Sequence, residues 1–310
     1  MHSDLQSPVW HPFTQHGLDP VTTKIVRTEG AYLIDEHGRS VLDAISSWWV
    51  ITHRHRHPAI AEAIQVAAET LDQVIFAEYT HEAAEELATG LLRVAPPGLA
   101  HVFYSDSGST AVEVALKMAL GFFHHVGDPR SRIAVMEHSY HGDTIGTMSA
   151  GERGVFNAPY GALLFDVDRV PFPEASREQD TLDAFERLCR DRKIAALLVE
   201  PLVLGAGGMK MYSARILTEL KQIAERFHTL LIVDEVMTGW GRRGRSSPAN
   251  RQLSARISFA PPRGSLAARC HWRRRCVPAK SSMLTSPPTE AECSSTRALT
   301  RQTPLPVLQP

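Results

Sequence analysis

Between residues 30 and 236 short apolar runs alternate with longer amphipathic stretches, the pattern left by helices covering a mostly parallel sheet. Apolar residues recurring every three or four positions predict helices over 58–71, 81–94, 109–123, 181–190 and 213–227. In the third of these Leu116, Ala119 and Leu120 fall on the face of Val112. Compact apolar runs predict strands over 101–104, 133–136, 195–200 and 230–234. Turn chemistry punctuates them at Pro96-Pro97-Gly98, Gly127-Asp128-Pro129 and Gly205-Ala206-Gly207-Gly208. A short N-terminal α+β unit with a hairpin turn over 35–39 precedes the main α/β domain, and no internal repeat is present.

Composition changes this picture in one place. A chain of 310 residues, 43% of them hydrophobic, has enough apolar side chain for a large core. The formal net charge of -1 gives no pull toward nucleic acid, and no apolar run has the length of a membrane span. Neither partner is expected, and with no basic stretch leading into an apolar one at the N-terminus the expected location is the cytoplasm. Four cysteines without paired spacing predict reduced thiols. His53, His55 and His57 alternate, but Pro58 follows directly and no acidic or cysteine ligand is close in sequence, so a polar loop is expected and no metal site. The near-neutral total conceals an asymmetry: residues 246–310 hold ten Lys and Arg, two Glu and no Asp among many Ser and Pro, a mix that seldom builds a core. The expected organisation is an N-terminal segment over 1–57, a large domain over 58–245 and a basic tail over 246–310.

Four segments carry candidate chemistry. In Phe103-Tyr104-Ser105-Asp106-Ser107-Gly108-Ser109-Thr110 a strand feeds a Gly/Ser loop into a helix start, where unpaired N–H groups, hydroxyls and the positive end of a helix dipole suit a phosphate. An ordinary helix start capped by Ser107 explains the same residues. Asp234 ends the apolar strand Leu230-Leu231-Ile232-Val233, at the sheet edge where α/β proteins place ligands. A buried carboxylate there suits a protonated ring nitrogen, though a metal ligand or a helix cap reads the same way. Tyr140, in the loop His138-Ser139-Tyr140-His141-Gly142-Asp143, could stack on a flat ring, or simply pack. Glu200 opens a glycine-rich loop ending at Gly208, which is also compatible with plain turn geometry.

The order of these four segments resembles the class III, fold-type I pyridoxal-phosphate (PLP) aminotransferases, over about residues 9–245. The resemblance implies a three-layer α/β large domain, PLP as cofactor, phosphate binding at Gly108 and Ser109, a ring contact by Tyr140, pairing of Asp234 with the pyridine nitrogen, and a cofactor-site role for Glu200. Trp10-His11-Pro12-Phe13-Thr14-Gln15 and Asp43-Ala44-Ile45-Ser46-Ser47-Trp48-Trp49 are similar to the branch that takes an amino group from S-adenosylmethionine to 8-amino-7-oxononanoate in biotin synthesis. That similarity implies substrate contacts by Trp48, Trp49, Tyr140 and Phe13, and a homodimer. An apolar wall suits a long aliphatic keto acid, and aromatic faces suit a sulfonium cation. Phe13 stands where the branch often has tyrosine.

The resemblance ends abruptly at about Arg245. In the family the Schiff-base lysine follows the strand-end aspartate by about thirty residues, which here falls near Arg263 in Ala260-Pro261-Pro262-Arg263-Gly264. The only lysine beyond Asp234 is Lys280, in Pro278-Ala279-Lys280-Ser281, with no apolar strand before it. The catalytic lysine is therefore not assigned. An incomplete large domain is expected, with a tail that is disordered or reads like translation in a shifted frame, and with little or no turnover by the chain as written. A cofactor-binding fragment without catalysis and another class III ω-aminotransferase are the alternatives.

Overall fold

A computed structural model of the chain describes residues 8–18, 22–96 and 99–240, and the backbone of Ile257–Ala260. All of these belong to one compact unit, Met1–His271. The predicted tail lies outside the described residues except for Ile257–Ala260.

The chain opens with β1 (Ile25–Glu29), β2 (Tyr32–Asp35) and β3 (Ser40–Leu42), an antiparallel three-stranded sheet. The predicted turn between β2 and β3 is held by Asp35, whose carboxylate accepts from the N–H of His37 and Arg39 and pairs with the Arg39 guanidinium at 2.6 Å. A single turn, α1 (Ser46–Trp49), follows, then α2 (Pro58–Ala68), α3 (Glu82–Val94) and α4 (Gly108–His125). The large domain continues with β4 (Arg132–Met136), α5 (Ile145–Ala150), β5 (Asp168–Val170), α6 (Glu178–Arg190), β6 (Ile194–Val199), β7 (Val203–Leu204), β8 (Lys210–Met211), α7 (Ala214–Arg226), β9 (Leu230–Asp234) and β10 (Ile257–Ala260).

Five of these strands form one parallel sheet in the order β10-β9-β6-β4-β5. Side chains alternate across it because successive residues of a strand point to opposite faces. Met136, Leu197, Val199, Leu231 and Val233 pack against α6 and α7, while Ile133, Val135, Leu198 and Ile232 pack against α4. The result is three layers with a core on each face of the sheet, as predicted. Leu197, Leu198 and Ile232 are wholly buried, each contributing roughly 1.5–3 kcal/mol relative to exposure.

Helix ends follow local chemistry. Ser107 caps α4, its hydroxyl accepting from the Thr110 N–H at 3.1 Å, and the Thr110 hydroxyl accepts from the Ser107 N–H at 3.0 Å. His81 Nδ1 accepts from the Ala84 N–H, so α3 begins one residue later than its apolar period predicts. The predicted strand over 101–104 is a correction. Phe103 makes a single bridge and no ladder is present there among the described residues, so the segment's apolar run is not enough to define a strand.

Behind the sheet, the buried Arg130 guanidinium donates to the carbonyls of Ile194 and Phe227 and to Thr229 Oγ1, and lies 4.1 Å over the Phe123 ring. It thereby ties together the segments that lead into β4, β6 and β9. In α1, all four residues have positive φ, from 44° to 66°, so the turn is left-handed. For residues with a Cβ this costs roughly 1–2 kcal/mol each, and such a turn persists only where surrounding contacts over-determine it.

Candidate active site

Three loops leave the carboxyl ends of β4, β6 and β9 and meet the start of α4 around one cavity of about 320 Å³. A crevice beyond the strand ends is where parallel α/β sheets bind ligands, and the volume suits a small cofactor. Among its walls are Ser107, Gly108, Ser109, Tyr140, His141, Glu200, Asp234 and Trp49.

The start of α4 forms one side of the cavity. Gly108 and Ser109 are the first two residues of an 18-residue helix, so their N–H groups lie outside the intrahelical ladder and at the positive end of its dipole. Close packing brings this turn to the site: a Cβ on Gly108 would come 2.8 Å from Val236 Cγ2. Gly142, at φ +126°, presses its backbone onto Ser109, where a Cβ would overlap the serine Oγ. Ser109 Oγ accepts from the Asp143 N–H at 3.3 Å, joining the helix start to the loop after β4.

Asp234 supplies the opposite end. It is 4% exposed, and its Oδ2 lies 2.9 Å from Nδ1 of His141 while Oδ1 accepts from the Val236 N–H at 3.0 Å. His141 is buried as well, and its Nε2 has no hydrogen-bond partner among the described residues. Glu200, 5% exposed, accepts from the Tyr140 N–H at 3.1 Å and the Gly205 N–H at 2.8 Å. Burial, and to a smaller extent the nearby Asp234 charge, push its carboxyl up to about 7, against the opposing pull of His141 and the two N–H donors. The side chain thus pins two loops together while holding a proton near neutrality.

Tyr140 lines the cavity, with its hydroxyl donating to Asp143 Oδ2 at 2.9 Å. Of the tryptophan pair only Trp49 is a wall residue. Neighbouring side chains on a helical turn diverge by about 100°, and Trp48 instead stacks on Phe13 at 5.7 Å, with Phe13 edge-on to Phe156. Phe13 and Trp48 therefore stand beside the cavity and not on its lining. His141 is the residue that sequence reasoning passed over; its place directly after Tyr140, in the loop that follows an apolar strand, was the available signal. His55 of the histidine trio binds Asp43, and no group of potential metal ligands occurs among the described residues.

Fold and cavity together define a parallel α/β protein with a crevice at its strand ends, walled by a helix start on one side and by the buried Asp234–His141 pair on the other. Residues 13–249 match the family described as Aminotransferase class-III. The chain belongs to the class III aminotransferases, a PLP-dependent family. It is 48% identical over 244 residues to the adenosylmethionine-8-amino-7-oxononanoate aminotransferase of Synechococcus elongatus, covering 76% of this chain and 58% of that protein. The same-named protein of Geobacter sulfurreducens is 37% identical, over 79% and 57%. Among solved structures, the adenosylmethionine-8-amino-7-oxononanoate aminotransferase of Methanocaldococcus jannaschii superposes with a TM-score of 0.78 at 30% identity, covering 84% of this chain and 63% of that one. An amine transaminase from an uncultivated Pseudomonas species, in its PLP-bound form, gives 0.77 at 28%, over 86% and 65%. The chain thus spans somewhat under two thirds of the length of these relatives.

Proposed function

We propose that the chain forms the cofactor-holding part of an aminotransferase that moves an amino group from S-adenosylmethionine to 8-amino-7-oxononanoate, giving 7,8-diaminononanoate for biotin. The observation that carries this reading is the convergence of the α4 start and the buried Asp234–His141 pair on opposite sides of one cavity. The likeness of the chain to relatives of that name supports the choice of substrates.

The residues fit PLP. Gly108 and Ser109 would hold its phosphate through their N–H groups, with the helix dipole adding attraction. Asp234 would hold the ring nitrogen in its protonated form; a buried carboxylate needs such a cation, and His141 fixes which way the carboxylate faces. Tyr140 would cover one ring face. Bound PLP supplies an electron sink for the carbon from which the amino group departs. Glu200 keeps the loops after β4 and β6 closed over the site, and Trp49 supplies an apolar wall for the acceptor's chain.

No lysine lines the cavity among the described residues. We therefore read this chain, taken by itself, as binding the cofactor without turning it over. Mass spectrometry after incubation with PLP and borohydride tests this: bound PLP with no lysine adduct is expected. An adduct on Lys280 or another lysine, together with diaminononanoate production, overturns it. The likeness to an amine transaminase keeps a second reading, a broader ω-aminotransferase, in view; a panel of amine donors separates the two. On the same reading the protein is a cytoplasmic homodimer. Ile60, Ile64 and Val66 on α2, all exposed, offer apolar surface to a second copy, and sedimentation at increasing concentration checks the assembly.

A further inference from the structure

The left-handed turn α1 sets where the indole of Trp49 stands on the cavity wall, so whatever stabilises that turn also shapes the site. Its backbone bonds include those from the Ser46 N–H to the Asp43 carbonyl at 3.2 Å, Trp49 to Ile45 at 2.9 Å, Val50 to Ser46, and Ile51 to Ser46 at 3.0 Å. None of these residues is glycine or asparagine, the types that adopt positive φ readily. Something else must select the conformation.

One side chain is placed to do so. Asp43 Oδ2 accepts from the Ser47 hydroxyl at 2.8 Å and lies 2.9 Å from Nε2 of His55. The Asp43 side chain is 4% exposed and that of His55 is 9% exposed. Both ends of this contact are themselves anchored to the N-terminal sheet. The Asp43 N–H donates to the Ala31 carbonyl at 2.8 Å, and the His55 N–H donates to the Gly30 carbonyl at 2.8 Å. Hydrogen bonds from Ser47 first, and His55 after it, hold the Asp43 carboxyl below the usual carboxylate range. The carboxylate thus spans three segments: the loop after β3, the left-handed turn, and the His55 bridge back to the hairpin.

We propose that Asp43 is a positioning residue for the substrate wall, a latch that, with Ser47 and His55, holds the Ser46–Trp49 turn left-handed and so presents Trp49 to the cavity. It touches neither cofactor nor substrate and acts through the indole. The wall it sets is flat and apolar, so the latch governs how well an acceptor with an apolar chain is accommodated. This deepens the aminotransferase reading but has a ligand-free test of its own.

The indoles of Trp48 and Trp49 lie 6.3 Å apart at 61°, a geometry that gives an exciton couplet in the far-ultraviolet circular dichroism, identified by its loss in W49F. In the full-length chain D43A is expected to lose most of the couplet while the helical signal stays. D43N, which keeps an acceptor oxygen in place, retains most of it. The part of the tryptophan quenching by added PLP that W49F removes also falls in D43A, and D43A adds nothing further in a W49F background, as for two residues acting in series. Retention of the couplet by D43A overturns the proposal. If D43A unfolds, S47A decides: loss of the couplet with the fold intact supports the latch, and retention overturns it. Absence of PLP quenching in the unmodified chain refutes the cofactor reading and leaves the couplet test standing.

Discussion

Glu200 offers a direct measure of how hostile the site is to a second buried negative charge. Its carboxyl is raised from 4.5 to about 7, chiefly by burial. The folded state therefore holds this proton over a range where the unfolded chain has released it. Stability falls as pH rises through that window, because the native state binds more protons there. Integrating between pH 5 and pH 8 with these two values gives a loss of about 2–3 kcal/mol from this group, at ~1.4 kcal/mol per pK unit. E200Q removes the ionisation while keeping a side chain of nearly equal volume. Glutamine offers only one acceptor oxygen, so one of the two N–H groups, of Tyr140 or Gly205, loses its partner, and the variant is expected to be less stable than the parent at pH 5. The prediction lies in the change with pH: urea unfolding of both proteins at pH 5 and pH 8 should show E200Q gaining about 2–3 kcal/mol relative to the parent. Unfolding free energies that change in parallel would refute the argument.

Two further substitutions probe the start of α4. S107A removes the cap of α4, and a loss of about 1 kcal/mol is expected, read as a lower urea midpoint with an unchanged slope. G142A places a methyl against Ser109 at φ +126°, so it should cost roughly 1–3 kcal/mol and weaken PLP binding in an absorbance titration, whereas G154A, which meets no atom within 4 Å, should leave PLP affinity unchanged.

The parts of the site that were legible are those whose chemistry is local. Asp234 could be placed because a carboxylate closes an apolar run, and Ser107 because a capping residue stands three positions before a partner. Such signals are written within a few residues. The His141–Asp234 contact joins positions 93 apart in sequence, and no periodicity encodes which strand ends will meet. The turn of α1 was invisible for a different reason: Ser-Ser-Trp-Trp has no intrinsic leaning to positive φ, and its conformation is imposed from outside by contacts such as that of Asp43. β5 is only three residues long, too short for its alternation to register. The run over 101–104 failed in the opposite direction: among the described residues it makes one bridge and no ladder, and an apolar run becomes a strand only through such pairing.

Arg130 fastens the sheet at the end away from the cavity. By gathering the carbonyls of Ile194 and Phe227 and the hydroxyl of Thr229 around a single guanidinium, it acts like the hinge-pin of a fan whose ribs are β4, β6 and β9. The ribs cannot slide at the pin, and at their far tips stand Tyr140, Glu200 and Asp234. With the ladders β4–β6 and β6–β9 paired out to Val135–Leu198 and Val199–Val233, the places of these three residues are set by the sheet as a whole and not by their own loops.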